Sequence, residues 1–294
     1  MSEPLSVAGD PGVDREYRTS DGRMLKYRHW MAEGGPRATV VAVHGIQSHP
    51  GWYGESSSAL ASAGIDVRFL DRRGSGLNRE ERGSAATASR LMDDVAEFAH
   101  MVVAGTQDIP SRPPLILLGV SWGARLAVAV CDRDPDLFDG LALLYPGLCT
   151  RVRPTIVQRG LLRLAKTLGG GRILIRVPLA PEQFTSVPRW QAFVRDDPLA
   201  IRRVTVSFLV AGEELARSSV RALRRLRLPR LVMLAGKDEI VDVDRTRELL
   251  LRIPADSLRV VEYPDARHTL EFEPDRKRFV AELIGWIESV GRRP

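Results

Sequence analysis

One stretch constrains this chain more than any other: Leu115-Ile116-Leu117-Leu118-Gly119-Val120-Ser121-Trp122-Gly123-Ala124. A short apolar run ends in Gly-x-Ser-x-Gly and passes at once into a helical pattern. That reads as strand, sharp turn, helix. The serine then sits at the tip of the turn, with its hydroxyl held out and its backbone strained. Gly119 and Gly123 carry no side chains, so the strand and helix can approach closely around the turn. Gly-x-Ser-x-Gly alone also occurs in ordinary glycine-rich turns. The apolar strand before it and the amphipathic segment after it give it weight here.

The rest of the chain supplies partners for that unit. Asp14 to Thr19 and Arg23 to Trp30 flank Ser20-Asp21-Gly22, a hairpin signal. The β-branched run Ala38 to Val43 reads as a buried strand. Further strands are expected at Asp66–Leu70, Leu115–Gly119, Gly140–Tyr145, Leu231–Leu234 and Leu258–Tyr263. Helical periodicity covers Gly54–Ala63, Ala88–Ala104, Trp122–Cys131, Val204–Leu226, Asp244–Arg252 and Asp275–Val290. In Ala88–Ala104 it puts Leu91, Val95, Phe98 and Val102 on one face. Strands alternating with helices at this spacing predict an α/β fold with a mostly parallel central sheet flanked by helices. The alternation breaks from Pro146 to about Val204. That segment combines Gly169-Gly170-Gly171 and several prolines with a dense apolar set, Leu161, Leu162, Leu164, Leu168, Ile173, Leu174 and Ile175. It predicts an inserted cap of short helices, since long insertions at a strand's carboxyl end serve as lids or binding loops. The expected organisation is a loose tail over residues 1–13, a core made of 14–145 and 205–294, and a cap over 146–204.

Composition excludes several classes. No apolar run approaches the ~20 residues of a membrane span. The N-terminal stretch lacks the apolar core of a signal peptide, so a cytoplasmic protein is expected. The 43 basic residues outnumber the 37 acidic ones, for a net charge of +6. Only Lys26, Lys166, Lys237 and Lys277 among the basic residues are lysine. The arginines are not interleaved with aromatic residues, and nothing has zinc-ligand spacing, so nucleic acid is not an expected partner. Cys131 and Cys149 have no metal-ligand company, and a disulfide is not expected in that compartment.

In such a sheet, ligands gather beyond the carboxyl ends of the strands. Ser121, Asp238 and His268 all lie in loops just after predicted strands, in the order serine, acid, histidine. A serine is a poor nucleophile without a base in reach, and the base needs an orienting partner. His268 would take the Ser121 proton, and Asp238 would fix the tautomer of His268 and stabilise its cation. His44 and His49 are the other strand-end histidines, and His29 and His100 lie in a strand and a helix. Glu239, Asp242 and Asp265 are the rival acids. Acyl transfer also needs donors aimed at the developing oxyanion. The backbone N–H of Trp122 is one, and the loop after the Ala38–Val43 strand should supply the other, at Ile46 or its neighbour Gln47.

Four blocks resemble the α/β-hydrolase superfamily, and within it the monoacylglycerol lipase, lysophospholipase and serine aminopeptidase-like group. They are His44-Gly45-Ile46-Gln47-Ser48-His49-Pro50-Gly51-Trp52-Tyr53, Asp71-Arg72-Arg73-Gly74-Ser75-Gly76, Gly119 to Gly123, and Ala235-Gly236-Lys237-Asp238 with Ala266-Arg267-His268-Thr269-Leu270. The resemblance spans the chain from about residue 15 onward. It implies an eight-stranded core sheet, a serine hydrolase without cofactor or metal, and Ile46 and Trp122 as the oxyanion donors. The chain departs from the group at Val120, where histidine is frequent, at Trp122, where leucine or methionine is common, and at Asn78, which replaces a common serine. None of these removes a catalytic group; the bulk of Trp122 either narrows the acyl pocket or packs on the core.

The expected activity is hydrolysis of a carboxylic ester of a small acyl substrate, monoacylglycerol or lysophospholipid in type, with the basic cap seating the enzyme near a lipid surface. Amidase or aminopeptidase, thioesterase and acyltransferase activities use the same site chemistry. A binding protein that kept only the fold is the reading of a different class.

Overall fold

The sheet carries eight strands in the order β1-β2-β4-β3-β5-β6-β9-β10. The computed structural model describes residues 12–105 and 112–291; most of the expected N-terminal tail therefore lies outside the described residues. The strands are β1 (Val13–Arg18), β2 (Met24–Trp30), β3 (Ala38–Val43), β4 (Ile65–Leu70), β5 (Leu115–Val120), β6 (Gly140–Leu144), β9 (Arg230–Ala235) and β10 (Leu258–Tyr263). β2 runs against the direction of the other seven strands, joined to β1 through the predicted Asp21-Gly22 hairpin. Every pairing from β4 across to β10 is parallel. Each parallel strand therefore delivers its following loop to one edge of the sheet.

Both faces of the sheet are covered, which explains the unbroken apolar runs. Alternate residues of β3 go to opposite sides: Val41 and Val43 pack with Leu91, Val95 and Phe98 of helix α2 (Ala88–Ala104). Val40 and Ala42 pack on the other side with Phe279, Leu283 and Ile287 of the closing helix α9 (Arg276–Gly291). Helices α1 (Gly54–Ser62), α3 (Gly123–Arg133), α7 (Val206–Ala222) and α8 (Val243–Leu250) complete the layers.

Between β6 and α7 lie three short helices, α4 (Ile156–Thr167), α5 (Pro181–Phe184) and α6 (Pro188–Asp196). The sequence gives no sign of the antiparallel ribbon that joins them, β7 (Leu174–Arg176) on β8 (Arg203–Thr205). The two strands are three residues each, too short to show a period. A second difference concerns the apolar set of this segment. Leu161, Leu164, Leu168, Ile173 and Leu174 are all at least half exposed, and α4 buries none of its residues. The start of α4 is fixed by a capping box between Thr155 and Gln158.

Candidate active site

Ser121 follows β5 with φ at +50°, a conformation non-glycine residues rarely adopt. The strain is held in place by packing. A Cβ on Gly119 would lie 2.8 Å from Ala124 Cα, and one on Gly123 would lie 2.4 Å from the Val43 carbonyl oxygen. Only glycine fits either position, so the spacing of the pentapeptide follows from the close contact of β3, β5 and α3. The carbonyl of Ser121 accepts from the Ala124 and Gly147 amides, which fixes the turn from both sides.

The loop after β10 brings His268 to this turn. Its Nε2 lies 2.8 Å from Ser121 Oγ, and its Nδ1 lies 2.6 Å from Asp238 Oδ2. Asp238 is buried in the loop after β9, and its other oxygen accepts from the Ile240 and Val241 amides at 2.7 and 2.8 Å. Three residues far apart in sequence thus form one line of hydrogen bonds. The rival acids are engaged elsewhere. Glu239 pairs with Arg267, Asp265 with Lys237, and Asp242 caps α8. Among the rival histidines, His29 is paired with Asp66 on the second and fourth strands and His100 is exposed on α2.

The loop after β3 lies against the serine, with Gly45 so close that a Cβ there would stand 3.3 Å from Ser121 Cβ. His44 is fully buried, and burial, reinforced by the nearby Arg72 cation, holds its pKa well below the usual range. It is therefore neutral and shapes the loop. Neither the Ile46 nor the Trp122 amide donates to another group among the described residues. Both residues line a cavity of about 630 Å³ that opens beside Ser121 and His268. Its walls are mainly apolar, with Leu162, Ile175, Val177, Phe184, Val206 and Leu209 among them. Trp122 does both things its bulk allows: it borders the cavity and stacks on Phe208, ring centroids 4.8 Å apart.

Several contributors are not evident from sequence. Arg125, one turn along α3 from the serine, is buried in the cavity wall and donates to the Gly147 carbonyl and Thr150 Oγ1. Asp197, just past α6, accepts from Trp52 Nε1 at 2.6 Å and pairs with His49 at 3.1 Å. Burial opposes its charge, but those bonds keep its pKa below the usual carboxylate range. The second half of the Pro146–Val204 insertion is thereby fastened to the loop after β3. The only hint in the sequence is that both stretches must meet over the carboxyl edge of the sheet.

Residues 34–275 match the family described as serine aminopeptidase, S33. The chain belongs to this family of α/β-hydrolases. Among its relatives, the monoacylglycerol lipase of Mycolicibacterium smegmatis is 26% identical over 274 residues, covering 91% of this chain and 94% of that protein. The mouse monoglyceride lipase is 25% identical over 274 residues, covering 91% of this chain and 88% of that one. A soluble variant of the Saccharomyces cerevisiae monoglyceride lipase, solved with a substrate analogue, superposes with a TM-score of 0.85 at 16% identity, over 99% of both chains. This last likeness speaks for the fold. Membership in the family makes the protein a hydrolase. No helix among the described residues is long and apolar enough to cross a membrane.

Proposed function

We propose that this protein cleaves a carboxylic ester of a small acyl substrate, of monoacylglycerol or lysophospholipid type, through a covalent acyl-serine. The observation that carries the reading is the line from Ser121 through His268 to Asp238 at the mouth of an apolar cavity. His268 Nε2 takes the proton as Ser121 Oγ bonds to the ester carbonyl carbon. The charge formed on the carbonyl oxygen meets the amides of Ile46 and Trp122. His268 returns its proton to the departing alcohol, and water then releases the acid by the same steps. The route needs no metal or cofactor. Residues 146–204 act as the cap, and their exposed apolar residues together with nearby arginines suit a cytoplasmic enzyme working at an anionic lipid surface.

The family's description favours a second reading, aminopeptidase action. An α-amino group requires a free carboxylate near the nucleophile. Glu213 is the one carboxylate among the described residues lining the cavity, and it is paired with Arg159 at 3.2 Å. That favours the ester. Labelling with a fluorophosphonate probe tests the proposal: the wild type should label and turn over esters, and Ser121→Ala should do neither. Ester hydrolysis by Ser121→Ala at the normal rate would overturn it. A panel of matched esters, thioesters and amides, compared by kcat/KM, decides the bond cleaved.

A further inference from the structure

The Asp71-Arg72-Arg73-Gly74 stretch after β4 has no part in the mechanism above, yet it places a cation behind the reacting centre. Arg72 is buried, and no carboxylate comes within ion-pair distance of it among the described residues. Its Nη2 donates to the Gly45 carbonyl at 2.7 Å and lies 3.3 Å from the Ile46 carbonyl. Its guanidinium carbon sits 4.8 Å from the centre of the Trp122 ring and 5.5 Å from that of Phe208. One side chain therefore touches both residues whose amides face the developing oxyanion.

The Gly45 carbonyl and the Ile46 N–H belong to one trans peptide, so they point in opposite directions. A donor that holds the carbonyl turns the amide hydrogen away from itself. His44 holds the same carbonyl from Nδ1 at 2.9 Å. Its tautomer is set, because the Arg72 amide donates to Nε2 at 3.1 Å. The Gly45 oxygen thus accepts two hydrogen bonds, one of them charged. A charged donor polarises the peptide and strengthens the hydrogen at its other end. Arginine suits the place where lysine would not: its flat face stacks on Trp122 while its edge donates. Burial pulls its pKa down to about 10, which leaves it cationic at neutral pH. The buried Asp71 carboxylate favours that charge from beyond ion-pair distance, and burying a charge so loosely partnered is unfavourable for stability alone.

We infer that Arg72 is the positioning residue of the oxyanion site: it orients and polarises the Gly45–Ile46 peptide and braces Trp122, so that both donors are set before substrate arrives. The inference rests on the serine-hydrolase reading. It predicts a loss confined to the transition state, because the carbonyl oxygen becomes charged only there.

The test uses the full chain as wild type, Arg72→Met and Arg72→Lys. Turnover of p-nitrophenyl butyrate gives kcat and KM. The inhibition constant of a long-chain trifluoromethyl ketone, whose serine adduct carries an oxyanion, is compared with that of the matching methyl ketone. Arg72→Met should lower kcat by about 10- to 100-fold, somewhat less than removal of a donor itself. KM should stay within about twofold, and the advantage of the fluorinated ketone should shrink by the same factor as kcat. Arg72→Lys should recover part of both. A purely structural role would lower the melting temperature and weaken both ketones alike. That result, or an unchanged kcat in both variants, overturns the inference. If Arg72→Met does not fold, the ketone ratio of Arg72→Lys decides. A wild type with no turnover and no bound ketone would instead refute the hydrolase reading beneath it.

Discussion

The two walls of the cavity are built in opposite ways. On the core side, Ser121, Asp238 and His44 are each held by several buried bonds, and glycines stand where any side chain would collide. On the side of the proposed cap, α4 buries nothing: Ile156 is 82% exposed and Val157 71%. The helix is tied down by its capping box, the Arg159–Glu213 pair and a bond from Lys166 to the Ala86 carbonyl. The two walls differ sharply in restraint. A reacting centre must not move by even an ångström. A cover over an apolar trough can carry its greasy residues outward, where a contiguous exposed patch marks a surface that meets something.

The largest expected effect breaks the core wall. Asp238→Asn keeps an oxygen for the Ile240 and Val241 amides but turns an NH2 toward His268 Nδ1. The histidine must then accept there, and its Nε2 can no longer take the serine proton. We expect kcat to fall about 10,000-fold, as with other triads, with a change of melting temperature of a few degrees at most. Retention of a tenth of the activity would mean that this wall is less finely set than its bonding suggests.

Next in size is a stability effect on the same side. Glu271 lies three residues past His268 and is buried, with one oxygen accepting from the Ser56 amide at 2.9 Å and the other without a partner among the described residues. Burial pushes its pKa from the ordinary 4.5 up to about 7. The unfolded chain releases the proton near 4.5, so between about 4.5 and about 7 the folded state binds more proton. Stability therefore falls as pH rises through that window and stays reduced above it. Glu271→Gln keeps the acceptor for Ser56 and cannot ionise. It should match the wild type near pH 4 and exceed it by roughly 3 kcal/mol at pH 8, measured by urea unfolding at both pH values. A gain of equal size at both would point to steric relief.

The contrast between the walls also explains what the sequence made legible. The strands β3, β5, β6 and β9 show because buried parallel strands must be apolar throughout. Ser121 and Asp238 stand out because each follows such a strand, His268 because it lies in the loop after the half-buried edge strand β10, and Gly119 and Gly123 because backbone contact admits nothing larger. Arg72 does not stand out, since an arginine in a polar loop ordinarily reads as solvated; its stack on Trp122 and Phe208 joins three separate loops and helices. The pairing of Asp197 with His49 and Trp52 is invisible for the same reason. Nor does apolar content say which way a side chain faces. Leu164 and Leu168 sit at helical spacing, but their exposure depends on how little of the core α4 reaches.

The smallest expected effect on the fold, and the sharpest test of the cap wall, comes from that outward face. Val157, Leu164 and Leu168 are exposed by 71%, 54% and 77% and do not line the cavity. Replacing all three by glutamine removes no buried contact, so stability should shift by about 0.5 kcal/mol or less. Turnover of a short, water-soluble ester should be unchanged, because the core wall and the cavity are intact. Turnover of a monoacylglycerol presented in anionic vesicles should fall several-fold, since the patch proposed to meet the lipid has become polar. If both substrates slow together, the residues support the cavity from outside, and the two walls are one mechanical unit. If neither slows, the exposed face meets something other than the substrate's lipid surface.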